Sequence, residues 1–164
     1  LSNNQKIYID HKKKKLTITN LNYLNSKIEY IRVLRSINFD FFSETSKKNF
    51  FNKEFKVTKL SDRMGMRLEG QALENIAYSN IKSEGIVKGV IQVPSDGNPI
   101  IMLCDHGTIG GYPKIANVIS ADFDKLVQMI PGSVIKFKQV SLDEAEKLFK
   151  FYQLETNNLI NQIK

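Results

Sequence analysis

Short runs in which apolar and polar residues alternate recur along most of this chain, and long helical stripes are few. Alternation puts every second side chain on one face of an extended segment, so such runs predict half-buried strands. The pattern predicts strands at Lys6–Ile9, Leu16–Thr19, Ile28–Leu34, Phe55–Leu60 and Met66–Glu69. Ile86–Val93, interrupted by Gly89, and Ile100–Cys104, apolar on both faces, flank Pro94-Ser95-Asp96-Gly97-Asn98-Pro99. An Asp-Gly core between two apolar runs is a strong turn signal, so this pair predicts a β-hairpin. Lys114–Ile119 and Val134–Val140 complete the strands.

Three helices are expected. Ser43 can cap one over Ser43–Phe50, and Ala121–Ile130 would bury Phe123, Leu126, Val127 and Ile130 before Pro131-Gly132 stops it. Ser141 followed by Glu144 makes a capping box ahead of a stripe of Leu142, Ala145, Leu148, Phe149 and Tyr152. Leu159, Ile160 and Ile163 extend the helical pattern into a tail beyond Glu155. Many short strands with a few short helices give a mainly β chain, folded as a closed or nearly closed β-barrel. No internal repeat and no Pro- or Ser-rich linker is present.

Composition refines this picture. A chain of 164 residues fits one domain, or one domain with a terminal extension. It can bury a core without a metal or disulfides. The net charge of +7 suggests a polyanion partner until its distribution is read. Residues 1–60 hold 13 Lys/Arg against 5 Asp/Glu, whereas residues 61–164 hold 11 against 12. The excess is lysine in the first part, with a run at Lys12–Lys15 that reads as a solvated turn between two strands. Only Arg32, Arg35, Arg63 and Arg67 could supply the guanidinium forks of a nucleic-acid groove, so nucleic acid is not expected as the partner. Cys104 is the single cysteine, which excludes an internal disulfide and fits a reducing, cytoplasmic setting. No apolar run approaches the roughly 20 residues that span a bilayer, and no membrane partner or signal-peptide pattern is read. The chain starts at Leu1 rather than Met, so a fragment or a processed piece of a longer protein stands open as an expectation.

Candidate chemistry lies between Ser61 and Ser120, in three polar, glycine-bearing segments. Ser61-Asp62-Arg63-Met64-Gly65-Met66-Arg67-Leu68-Glu69-Gly70 puts two carboxylates and two guanidiniums in one loop and strand. Planar Arg forks suit carboxylate, phosphate or carbamate oxygens; an ion-pair network that fixes the loop explains the same residues equally well. In Ser83-Glu84-Gly85, at the mouth of a barrel strand ending near Gln92, Glu84 could act as a base or cap a turn. In Asp105-His106-Gly107-Thr108-Ile109-Gly110-Gly111-Tyr112-Pro113-Lys114, paired glycines let backbone N–H groups approach a ligand. Thr108 and Tyr112 add hydroxyls there, Lys114 a cation and His106 a group that titrates near neutrality. The bland alternative is a tight turn joining two strands. The spacing is neither a phosphate-binding GxxxxGK[ST] loop nor GxGxxG. Cys104 closes the apolar run Ile100–Leu103 and reads as a buried core residue. With two histidines and one cysteine no zinc-type ligand spacing exists, and no metal is expected.

Read in order, "SDRMGMRLEG", "SEGIVKGVIQVPSDGNPIIML" and "TIGGYPKIANVISADFDKL" resemble one family. Its members are known as allophanate hydrolase subunit 2, as the C subunit of 5-oxoprolinase, or as biotin-dependent carboxyltransferase. The resemblance runs from about Ile31 to Ala145, with "YIRVLRSINFDFFSE" as its lead-in. It implies a cyclophilin-like closed β-barrel over residues 31–152. Residues 1–30 would then be a remnant of a preceding half-domain and 153–164 a helical tail. It further implies an enzyme subunit incomplete alone, with an active-site cleft completed by the missing N-terminal half or by a companion chain, the B-like member of the same enzyme.

By the same resemblance the activity is ATP-dependent hydrolysis of 5-oxoproline or a related small amide, with ATP reaching the reaction through the companion chain. Glu84, Lys114 and Asp62 take catalytic roles, and Ser61, Arg63, Arg67, Gln92, Thr108, Gly110, Gly111 and Tyr112 bind substrate. Two alternatives stand beside it. One is a carboxyltransferase component of a urea carboxylase-like enzyme, drawing carboxybiotin from elsewhere because Met64-Gly65-Met66 lacks the lysine of a biotinylation site. The other is a non-catalytic regulatory partner of a kinase-inhibitor-like subunit. One departure is visible: many members carry Arg-Gln-Thr-Thr before the glycine pair, where this chain has His106-Gly107-Thr108-Ile109.

Overall fold

A computed structural model of the chain describes residues 6–9, 14–17, 29–76 and 81–163. Strands β1 (Lys6–Ile9) and β2 (Lys14–Thr17) pair antiparallel, Lys6 opposite Thr17. The expected N-terminal hairpin forms, shifted so that Lys14 and Lys15 belong to a strand instead of the turn; residues 10–13, 18 and 19 lie outside the described residues. The other strands are β3 (Ile31–Arg35), β4 (Phe55–Val57), β5 (Gly65–Gly70), β6 (Glu84–Gly85), β7 (Val90–Gln92), β8 (Ile100–Met102), β9 (Ile109–Gly110), β10 (Lys114–Val118), β11 (Val134–Ile135) and β12 (Phe137–Gln139). Helices α1 (Glu44–Asn52), α2 (Ser120–Leu126) and α3 (Leu142–Ile163) complete the fold.

Eight strands form one sheet in the order β11-β4-β5-β8-β7-β10-β3-β12. Its two edge strands are consecutive in sequence. β11 pairs antiparallel with β4, the chain passes through Lys136, whose carbonyl accepts the N–H of Ile31 at 2.7 Å, and β12 then pairs parallel with β3. One extended segment therefore closes the sheet into a nearly complete barrel, as the strand count predicted. The single strand expected over Val134–Val140 is thus two short ones on opposite edges; Val134 is exposed while Ile135 and Phe137 are buried.

Inward-facing residues of every barrel strand fill the core, among them Ile31, Val33, Phe55, Leu68, Ile91, Ile101 and Ile135. The capping role read for Ser43 holds: its Oγ accepts the N–H of Ser46 at 3.2 Å and starts α1. That helix sends Phe50 into the core, where its ring stacks on Phe137 at 4.5 Å between centroids. A second cluster of Ile119, Ala121, Val140 and Ala145, with Leu148 and Tyr152 against it, seats α3 on α2. Ser141 Oγ accepts the Glu144 N–H at 3.2 Å, as the capping box predicted. Leu142 and Phe149 lie off the buried side of that stripe, exposed.

Other boundaries differ from the pattern for local reasons. The run Ile86–Val93 does not form one strand, because Gly89 takes φ +87° and breaks it; only Val90–Gln92 pairs with β8 in the predicted hairpin. The strand begun at Phe55 ends at Val57, and Leu60 stands 75% exposed in the following turn. α2 ends at Leu126, so Val127 and Ile130 face outward rather than the core. Cys104 is exposed, contrary to its reading as core: β8 stops at Met102 and a turn lifts the chain off the barrel before Asp105.

Candidate functional site

Register places four residues in one lateral row across the barrel. Arg67 of β5 lies opposite Ile100 of β8, Ile100 opposite Gln92 of β7, and Gln92 opposite Lys114 of β10. Directly paired residues project from the same face of a sheet. Their neighbours Met66, Leu68, Ile91 and Ile101 fill the barrel core, so the row lies on the outer face.

A small ribbon made of β6 and β9 covers one end of that row, with Glu84 opposite Gly110 and Gly85 opposite Ile109. Ile86, Val90 and Met102, with Ile100 against them, form a separate apolar cluster between ribbon and barrel. Glu84 therefore sits on this ribbon, not at the mouth of a barrel strand as expected. Gly110 lies close against Gln92: a Cβ there would lie 2.6 Å from Gln92 Nε2. Gly111 meets the other side of the same packing, its carbonyl accepting the N–H of Ile81 at 2.8 Å.

Under the ribbon lies a buried cation. Lys114 is 4% exposed, and its Nζ donates to Glu84 Oε2 in a tight ion pair. An ammonium carries three N–H donors, and no other described group accepts from this one. Gln92, also buried, donates from Nε2 to the Tyr112 carbonyl at 3.3 Å, while its Oε1 has no partner among the described residues. Asn38, which no sequence pattern singled out, is buried beside them and accepts the Lys114 backbone N–H through Oδ1 at 3.1 Å. A bulge in the β10–β7 ladder follows Lys114, so that Ile115 and Ala116 both reach the core while Lys114 stays outside. Thr108 contributes its backbone carbonyl to Ile86 at 3.0 Å, and its side chain is exposed.

The first predicted segment separates into parts. Ser61 Oγ accepts the Arg67 N–H at 3.0 Å and donates to its carbonyl, tying the loop back on β5. Asp62 Oδ1 accepts the N–H groups of Gly65 and Met64 at 2.9 and 2.8 Å, which holds its carboxyl below the usual range. Arg63 pairs with Asp105 at 2.7 Å, well exposed to solvent. These contacts tie Ser61, Asp62 and Arg63 to the loop, Asp62 through Oδ1 alone. Arg67 differs: its guanidinium makes no hydrogen bond or ion pair among the described residues. It lines an open cleft of about 400 Å³ with Glu69, Asp96, Asn98, Ile100 and Tyr112.

Barrel, ribbon and the pair of buried Lys114 with half-buried Glu84 define a domain that carries a polar site on its outer face, open on one side. The family model of the carboxyltransferase domain, subdomains A and B, matches residues 2–139, and the chain belongs to that family. It is 46% identical over 120 residues to the C subunit of 5-oxoprolinase from Haemophilus influenzae, an alignment that covers 73% of this chain and 39% of that one. To the Escherichia coli protein of the same name it is 40% identical over 117 residues, 71% of this chain and 38% of the relative. The chain thus spans about two fifths of the length of these curated relatives. Among solved structures, the urea amidolyase of K. lactis superposes with a TM-score of 0.77 at 26% identity, over 87% of this chain and 10% of that one.

Proposed function

We propose that this chain is part of an ATP-dependent amide hydrolase acting on 5-oxoproline or a related small amide, and that Lys114, Glu84 and Gln92 handle the amide. The observation that carries the reading is the buried Lys114 ammonium, with two N–H donors left without an acceptor among the described residues. Buried donors need an acceptor, and an amide carbonyl oxygen placed there would gain negative charge as water attacks. Electrostatic stabilisation of that charge by fixed, desolvated donors is a large catalytic term. Glu84, 37% exposed at its side chain, can take the proton from the attacking water and pass it to the departing nitrogen as the C–N bond breaks. Gln92 Oε1 can accept the amide N–H. ATP, reaching the amide through a companion chain, supplies its activation.

The names and lengths of the relatives support this assignment and an enzyme built from several parts. A second reading, a carboxyltransferase step fed by carboxybiotin, is favoured by the family description and by the likeness to urea amidolyase. Reconstituting the chain with its companion and assaying two reactions separates them. ATP-dependent 5-oxoproline opening that requires this chain supports the hydrolase. Biotin-dependent carboxylation of urea, with no 5-oxoproline turnover, overturns it in favour of the transferase.

A further inference from the structure

The chain inverts the usual pattern of burial at one point beside the site: Ile37 is 79% exposed, and Asn38 next to it is 4% exposed. A buried polar side chain is the informative case, because burial is costly unless its hydrogen bonds are made. Asn38 Oδ1 accepts the backbone N–H of Lys114 at 3.1 Å, a contact 76 residues apart in sequence. The main chain of Asn38 is itself held. Its carbonyl accepts the N–H of Phe41 at 3.0 Å, within the 3-10 turn Phe39–Phe41 that follows β3.

This bond falls at the bulge of β10. The strand pairs with β7 at Lys114–Gln92 and at Ala116–Ile91, two steps of one strand against one of the other. In unbroken alternation Lys114, Ala116 and Val118 would share a face. The extra residue shifts that alternation, so Ile115, Ala116 and Val118 all reach the core while Lys114 turns out to Glu84. On the other side of β10 the chain of β3 is leaving the barrel. The N–H of Ser36 reaches the Ile115 carbonyl at 3.2 Å, and Asn38 Oδ1 stands in for a main-chain acceptor at Lys114. Without that oxygen a buried N–H is left unpaired. Re-pairing the strand to recover an acceptor removes the extra residue and turns Lys114 off the outer face.

We propose that Asn38 is a positioning residue of the site: by taking the Lys114 N–H it holds the β10 bulge that aims the Lys114 ammonium at Glu84. It acts through Lys114 rather than by contact with the amide. Its effect on turnover rests on the hydrolase reading, whereas its effect on the placement of Lys114 does not.

NMR of the 164-residue chain tests this in wild type and in one variant. In wild type a through-hydrogen-bond coupling is expected between the Lys114 amide nitrogen and the Asn38 side-chain carbonyl carbon. Its absence, with the equivalent couplings across backbone bonds of the barrel resolved, overturns the proposal without any variant. Asn38→Leu keeps the shape of the side chain and removes the acceptor. It should speed exchange of the Lys114 amide proton by about tenfold or more. It should also abolish the nuclear Overhauser contact between the Lys114 ε-protons and the Glu84 γ-protons, with the Ile91–Ile101 contacts of the core unchanged. A Lys114–Glu84 contact that survives in Asn38→Leu overturns the proposal. In the reconstituted complex the same variant should lower kcat for 5-oxoproline by about tenfold or more, with KM within about threefold of wild type. A displaced Lys114 with unchanged turnover supports the role of Asn38 and counts against Lys114 as the reacting centre, so the two readings fail separately.

Discussion

Asp62 and Lys114 show how differently two charged side chains from one set of candidates can be used. Both were singled out for chemistry, and Asp62 holds two backbone N–H groups of its own loop through Oδ1. Those hydrogen bonds favour the charged form, so the folded pKa lies below the unfolded value of about 3.9. The stability this gives is present above the unfolded pKa and is lost as pH falls through the lower, folded one. A carbon-detected NMR titration of Asp62 should give a midpoint below about 3.9; a midpoint at or above it would show the loop bonds absent in solution. Residue identity could name Lys114, Glu84 and Gln92 as candidates. It could not tell which side chains are tied to local backbone, nor reveal Asn38, because an asparagine in a turn before a phenylalanine carries no pattern of its own. Cys104 misled for a related reason: an apolar run ahead of it says nothing about where the strand stops.

At the scale of elements, the hairpin of β7 and β8 was the most legible feature, since turn chemistry and apolar flanks agree there. Gly97 has φ +76°, as an Asp-Gly turn requires, and a Cβ at that position would lie 2.9 Å from the Leu73 N. Less legible was what pins α2. Asp122 accepts the Arg32 backbone N–H and Nε, both at 2.8 Å, and also pairs with its Nη2, a contact 90 residues apart in sequence. This bond raises the Arg32 pKa above its ordinary value. The Asp122 side chain is only 3% exposed. Breaking one side of a buried pair leaves the other uncompensated, so Asp122→Ala should cost about 3 kcal/mol in denaturant unfolding. A loss under about 0.5 kcal/mol would instead be the size of an exposed pair's contribution and would contradict the pinning role.

For the whole molecule, the strand count predicted a barrel, but the device that closes it was hidden. Val134–Gln139 looks like one strand with irregular alternation, and only the fold shows that its halves serve opposite edges. Phe137 sits at that junction with Phe50 and Phe55 around it. Phe137→Ala should therefore lower global stability by about 3–5 kcal/mol, with one cooperative unfolding transition seen by both circular dichroism and tyrosine fluorescence. Separate transitions for the two probes would mean that barrel closure is not what this segment provides. Barrel closure also fixes the outer-face row, because the register of four adjacent strands sets which residues share it.

We propose that the amide is opened on that face, where buried Lys114 pairs with half-buried Glu84. The direct measurement is kcat for ATP-dependent 5-oxoproline hydrolysis by the reconstituted complex carrying wild type, Lys114→Met or Glu84→Gln chain. Methionine keeps the packing of the lysine stem, so the complex should assemble normally. A fall of about 100-fold or more is expected in each variant, as when positioned proton-transfer and oxyanion-stabilising groups are removed. Turnover within twofold of wild type in both variants, with the complex intact by gel filtration, would contradict it.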